Sequence, residues 1–191
     1  AVQPSEEESD LVFVGRLIPE KHVDVLIDAV SLLTDHFPEI RCLIIGDGPE
    51  PRSLEMKVRA SGLGNHVVFT GKLPHSNDVI SSMKSSRVFV FPSTREGFGI
   101  SVLEALACGL PVVTIDHPKN ASRVFAGNGC GVLSTLGAAD LSQKIRAILE
   151  GEGTGGLPCR LKAHQYEWEA ITDMVEDYYR RVHEAELFQK G

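Results

Sequence analysis

Six short apolar runs punctuate this chain, each unbroken by a polar residue: Leu11–Val14, Cys42–Ile45, Val67–Phe69, Val88–Phe91, Pro111–Val113 and Gly131–Leu133. Runs that are continuous rather than alternating suit strands covered on both faces. Between them the period changes to that of helices. Val23, Leu26, Ile27 and Val30 fall at offsets of three, four and seven, on one helix face. Leu141, Ile145, Ile148 and Leu149 repeat the pattern, opened by Asp140 with Gln143 three residues on, which reads as a capping box. Alternation of this kind implies βαβ units, and right-handed crossovers turn such units into an open parallel sheet. The expected architecture is a Rossmann-like α/β domain of about six strands with helices on both faces. Trp168, Ile171, Val175, Tyr178 and Val182 mark one long amphipathic helix at the C-terminal end. Residues 1–10 read as linker, 11–165 as the domain and 166–191 as the C-terminal helix. The stretch Gly151 to Gly156, with four glycines in six residues, reads as a flexible loop. No internal repeat is visible.

A length of 191 residues suits one domain able to bury a core without a disulfide or metal staple. Nineteen lysines and arginines against 26 acids leave a formal charge of -7, which argues against a nucleic-acid or polybasic membrane-surface binder. Cys42, Cys108, Cys130 and Cys159 are scattered and have no histidine at zinc-ligand spacing, so they read as reduced thiols, not as a zinc site. Reduced thiols point to a cytoplasmic protein. No apolar run approaches the roughly 18 residues of a membrane span. The triplet Asn120-Ala121-Ser122 has the form of a glycan acceptor and reads as chance in that setting.

In an open parallel sheet the ligand crevice lies outside the carboxyl ends of the strands, so the loops that follow strands carry the chemistry. After the first run comes Gly15-Arg16-Leu17-Ile18-Pro19-Glu20-Lys21, where two cations flank a turn leading into a helix. They are either ordinary surface cations or, beside a helix N-terminus, ligands for an anion such as a diphosphate. After the fourth run the chain passes Glu96-Gly97-Phe98-Gly99 and enters a helix that stops at Gly109. Gly97 and Gly99 let backbone amides approach a ligand. Glu96 precedes that helix and Glu104 lies inside it; such carboxylates either face solvent or accept bonds from sugar hydroxyls. The apolar neighbours Phe98, Ile100, Val102 and Leu103 favour the second reading.

These segments resemble the retaining family-4 (group 1) glycosyltransferases. Glu96 and Glu104 stand at the separation of the family's E-x7-E signature, inside its P-S-x-x-E-G-F-G and E-A-x-A-C-G-x-P-V-V surroundings. Gly15-Arg16-Leu17 through Lys21 is similar to its G-R-L-x-x-x-K element, Ile44 to Pro49 to its I-x-G-x-G-P turn, and Phe69 to Pro74 to its F-x-G-x-x-P turn. The four motifs run in the family's order over roughly residues 11 to 114, and Trp168 and Tyr179 fit its C-terminal helix more loosely. The resemblance implies one half of a GT-B enzyme, the nucleotide-sugar domain, with the acceptor-binding N-terminal domain missing. The C-terminal helix would pack toward that missing partner.

The resemblance further implies a reaction that moves a hexose from a nucleoside diphosphate sugar to an acceptor hydroxyl with retention, inactive in this half alone. Arg16, Lys21 and Glu96 would be its catalytic residues, the two cations on the diphosphate and Glu96 on hydroxyls of the transferred sugar, positioning it electrostatically and not as a nucleophile. Gly15, Leu73, Gly97, Phe98, Gly99 and Glu104 would bind the donor, Leu73 at the base edge and Glu104 at the ribose. No cofactor or metal is expected. Partners would be the nucleotide sugar and an unidentified glycan or lipid acceptor, with no nucleic acid, in a cytoplasmic enzyme that could sit at the inner face of the membrane. Two departures stand out: His22 where the family usually has glycine, and Asp116-His117-Pro118-Lys119-Asn120-Ala121-Ser122 where it commonly has G-G-x-x-E. The loop histidines His75 and His117 read as solvated. The alternatives are a non-catalytic GT-B-like module, a nucleotide-sugar epimerase half, and a dehydrogenase domain. The last needs a G-x-G-x-x-G turn that Gly15 does not open.

Overall fold

The computed structural model describes residues 2–152 and 155–189. Six strands, β1 (Ser9–Val14), β2 (Cys42–Ile45), β3 (Val67–Gly71), β4 (Ser86–Phe91), β5 (Val112–Ile115) and β6 (Gly131–Ser134), form one sheet in the order β3-β2-β1-β4-β5-β6. Every pairing is parallel. Among the described residues the helices are α1 (Val23–Leu33), α2 (Pro51–Ala60), α3 (Ser76–Lys84), α4 (Ile100–Cys108), α5 (Ala138–Ala147), α6 (Leu157–His164) and α7 (Trp168–Gln189). This is the Rossmann-like parallel sheet that the six apolar runs imply.

The strands are unbroken apolar runs because both faces of the sheet are covered. Leu11, Val12, Phe13, Val88, Phe89, Val90, Phe91, Val112 and Val113 are all buried. Phe91 stacks on both Phe13 and Phe89, with ring centroids 5.9 Å apart in each case. On one helical layer Val23, Leu26, Ile27 and Val30 turn inward from α1, and Leu141 and Ile145 from α5. Helix α4 stops where Gly109 adopts a left-handed conformation (φ 88°) that ends the backbone ladder. Burial pushes the Cys42 thiol up to about 12, which keeps it protonated.

Several boundaries differ from the sequence expectation. Strand β1 begins at Ser9, and the segment before it is tied to α3: the Ser5 amide donates to the Ser81 carbonyl, and the Ser81 hydroxyl to that of Gln3. Residues 2–10 are therefore partly bound to the domain. Asp140 is not the cap of α5, which starts earlier, at Ala138. Its carboxylate reaches back to accept from the Thr135 amide at 2.6 Å and from the Thr135 and Ser134 hydroxyls. Those bonds, the Thr135 amide first, hold its carboxyl below the usual range. The glycine-rich stretch opens at Gly151, whose left-handed φ of 98° breaks the helical turn that begins at Ile148, and Gly155 and Gly156 lead into α6; Gly153 and Thr154 lie outside the described residues. The C-terminal helix expected over 166–191 is α7, which starts two residues later, at Trp168; positions 190–191 lie outside the described residues.

Two turns at the carboxyl ends of the strands are pressed together. A Cβ on Gly46, whose φ is +143°, would fall 1.9 Å from the Gly15 carbonyl oxygen. Neither the backbone angle nor the space admits a side chain. Gly46→Ala is expected to cost about 2–4 kcal/mol, combining overpacking with backbone strain. Urea unfolding of both proteins checks this, with a lowered midpoint at unchanged slope as the expected result.

Candidate functional site

The strand order reverses direction between β1 and β4. The chain runs outward from β1 to β3, then returns to β4 on the other side of β1. The loops leaving β1 and β4 therefore flank one crevice at the carboxyl edge of the sheet.

The loop after β1 makes a short 3₁₀ turn at Pro19–Lys21 and then passes His22, which is left-handed (φ 48°, ψ 44°). The family's usual glycine would take this conformation without strain; a histidine pays roughly 1 kcal/mol for it. His22 is the residue that joins this turn to α1. Its Nε2 lies 2.8 Å from the Thr94 hydroxyl, so the side chain ties the β1 loop to the β4 loop. Further ties run the same way: the Thr94 amide and the Ser93 hydroxyl both donate to the Glu20 carbonyl.

Across these three ties Lys21 meets Glu96. The ammonium donates to Glu96 Oε2 at 2.5 Å, with the two side chains 12% and 21% exposed. Lys21 also lies 4.7 Å above the centre of the Phe91 ring and 3.5 Å from the Ser93 hydroxyl. The second carboxylate oxygen of Glu96 accepts from the Gly97 amide at 3.2 Å. Both ends of the carboxylate are thus engaged. Phe98 is held edge-on against Phe125 and Tyr166, with centroids 5.5 and 5.9 Å away. Gly99 caps α4 in a left-handed conformation.

Gly15, Arg16 and Leu73 line a cavity of about 720 Å³, together with Ile45, Gly46, Asp47, Gly48, Lys72, Pro74, Ser76 and Val79. It is walled by the turns after β1, β2 and β3 and is more apolar than polar, apart from Arg16, Lys72 and Asp47. Asp47 Oδ1 accepts from the Gly48 amide. Lys72 is a cation that sequence reasoning passed over, although it stands inside the quoted F-T-G-K-L-P turn. A different hollow, lined by Asp10, Arg41, Lys84 and Arg87 among others, lies at the amino ends of the strands, where Arg87 is already paired with Asp10.

Glu104 is placed differently from the other candidates. It sits in the second turn of α4 and borders a groove shared with Arg160, His164, Tyr166 and Glu167. Desolvation by burial raises its carboxyl above the ordinary value. The structure therefore brings Lys21 and Glu96 into contact, gathers Gly15, Arg16 and Leu73 around one cavity, and sets Glu104 on the flank of α4. Among the described residues no three histidine, cysteine or acidic side chains form a metal-binding group. No described helix is long and apolar enough to cross a membrane.

The fold and these loops define a Rossmann-like α/β domain with a crevice at its switch point, and comparison with known proteins gives the family. The chain belongs to the glycosyl transferases group 1 family, whose model matches residues 1–168. It is 31% identical over 178 residues to the phosphatidyl-myo-inositol mannosyltransferase of Mycolicibacterium smegmatis, covering 90% of this chain and 45% of that protein. It is also 31% identical over 192 residues to the D-inositol 3-phosphate glycosyltransferase of Jonesia denitrificans, covering 89% and 42%. Among solved structures it is similar to sucrose-phosphate synthase from Thermosynechococcus elongatus, with a TM-score of 0.75 at 26% identity over 94% of this chain and 46% of that one. Its fold also matches Anabaena HepE in complex with UDP and glucose, with a TM-score of 0.77 at 23% identity over 91% and 48%. The chain spans less than half the length of each of these relatives.

Two outcomes test the electrostatics. A double-mutant cycle on Lys21→Met and Glu96→Gln is expected to show about 1–2 kcal/mol of coupling in chemical denaturation, since both charges are mostly withdrawn from water. Glu104 binds its proton more tightly folded than unfolded, so it favours the native state at acid pH. That contribution is lost as pH rises through the folded value. Glu104→Gln should therefore melt higher than the wild type at neutral pH, with the difference vanishing below the ordinary carboxylate range; thermal melts across that range give the answer.

Proposed function

We propose that this chain is the donor-binding half of a retaining glycosyltransferase that moves a hexose from a nucleoside diphosphate sugar to an acceptor hydroxyl. The observation that carries the reading is the Lys21–Glu96 pair joining the loops after β1 and β4 at the switch point, with Arg16 of the same β1 loop lining a cavity together with Leu73. Cleavage of the bond between anomeric carbon and phosphate oxygen builds negative charge on the departing diphosphate. Arg16 and Lys21 are the cations that would meet it, in a site whose donors are already oriented. They would do so without a divalent metal or other cofactor.

Glu96 would accept hydroxyls of the transferred sugar beside the amides of Gly97, Phe98 and Gly99. Its carboxylate accepts from Lys21 and from the Gly97 amide, so donor binding would trade those partners for ligand groups. The acceptor hydroxyl would attack on the face from which the diphosphate leaves, with Glu96 positioning the sugar and forming no covalent bond. Gly15 would let the diphosphate approach the β1 turn, the backbone around Leu73 would contact the base edge and Glu104 would bind the ribose hydroxyls. For Glu104 this requires the nucleotide to reach the flank of α4.

An N-terminal domain in cis would complete the enzyme and carry the acceptor, a glycan or a lipid. Helix α7 fits that arrangement, because among the described residues it makes only marginal contact with other elements and leaves Trp168 86% exposed. A cytoplasmic enzyme at the inner face of the membrane is consistent with lipid acceptors.

Calorimetric titration of the chain with UDP, GDP and ADP and their hexose derivatives, in EDTA, tests this reading. Saturable binding of one nucleotide class is expected, weakened about tenfold by Arg16→Ala or Lys21→Ala through the loss of a charge-assisted bond. Absence of saturable binding to every probe would overturn it.

A further inference from the structure

Residues 116–122, one of the two departures from the family pattern, hold a buried side-chain amide bonded at both ends. Asn120 is 0% exposed. Its amide nitrogen donates to the Ile115 carbonyl at 2.8 Å and to the Thr114 hydroxyl at 3.1 Å. Its Oδ1 accepts from the Ser122 hydroxyl at 2.6 Å and the Ser122 amide at 3.2 Å. Thr114 in turn donates its own proton to the Phe91 carbonyl, at the end of β4. With that proton committed, Thr114 can only accept from residue 120, as can the Ile115 carbonyl. The position therefore requires two donors and an acceptor on one planar group, which asparagine supplies and aspartate does not.

The backbone on either side of this amide clamps Glu96. The Glu96 N–H donates to the Lys119 carbonyl, and the Ala121 N–H donates to the Glu96 carbonyl, both at 3.0 Å. Glu96 and Asn120 thus form a parallel bridge outside the main sheet. Ser122 also presses on the cap of α4, since a Cβ on Gly99 would lie 2.5 Å from the Ser122 Cβ. We propose that Asn120 is the positioning residue for Glu96, fixing through this bridge where the sugar-facing carboxylate stands. The inference rests on the reading that Glu96 meets the transferred sugar. It also assigns the Asn120-Ala121-Ser122 triplet a structural task, because a sealed amide with all its hydrogen-bonding capacity used offers no acceptor for a glycan.

Two measurements on Asn120→Ala and the milder Ser122→Ala test it. In the ligand-free chain, amide hydrogen exchange at Glu96 and Ala121 should rise about tenfold or more in Asn120→Ala and severalfold in Ser122→Ala. Exchange at Thr94, whose amide is held by Glu20, should stay at the wild-type rate. In titrations, the preference for UDP-glucose over UDP, or GDP-mannose over GDP, should fall toward one while affinity for the bare nucleotide stays within about twofold. General loosening would instead raise exchange throughout and weaken both ligands together, and either result overturns the proposal. Wild-type exchange at Glu96 in both variants overturns it as well. A wild-type chain that binds nucleotide and nucleotide sugar equally would sink the sugar-facing reading of Glu96. The exchange measurement would then decide the positioning claim by itself, and Ser122→Ala carries it should Asn120→Ala fail to fold.

Discussion

Parallel pairing of β1 with β4 is the contact from which the rest of the site follows. The two strands are separated by more than seventy residues and two intervening strands in sequence, yet Leu11 aligns with Val88 and Val12 with Phe89. That register is held by side chains buried on both faces of both strands, and a shift by one residue would reverse every one of them. Because parallel strands end on the same edge, fixing β1 against β4 fixes the loops that leave them. Lys21 and Glu96 have no reason to meet in an extended chain; the sheet gives them one.

The ion pair so formed has a double character. Its members are mostly removed from water, and each offsets the other's desolvation. Lys21 is additionally seated on the Phe91 ring, so its position is set by the core below as well as by the acid beside it. A cation and a carboxylate held in this way satisfy each other, so a ligand that takes either as its partner has to compensate the loss of the other. In its separate groove on the flank of α4, Glu104 is also partly withdrawn from water, and desolvation raises its carboxyl above the ordinary value.

The sheet was legible in the sequence because burial on both faces leaves an unmistakable signature, a run without polar residues. Its edges were less legible. Ser9 and Ser86 extend β1 and β4, joined by a bond between their hydroxyls that no hydropathy pattern reports. Helix α6 escaped notice because Leu157 and Leu161 are both exposed, so its apolar spacing does not describe its buried side. At the site, the residue types and their order were readable from the family motifs, while their partners were not. The tether from His22 to Thr94 and the Asn120 network join loops that are distant in sequence, and polar residues in loops carry no periodicity to betray them. Asp140 was assigned to the cap itself because the signature names residue types three apart and leaves open which of them sits at the helix boundary.

Gly46 and Gly48 lie against the carbonyls of Gly15 and Leu17, with room for no added carbon on either. The turns after β1 and β2 consequently behave as one casting. Neither can drift in sequence by itself, since any larger residue in the second would evict the backbone of the first. That wall of the crevice is thereby set by excluded volume, whereas the loop after β5 on the other side is set by the directional bonds of one amide, Asn120.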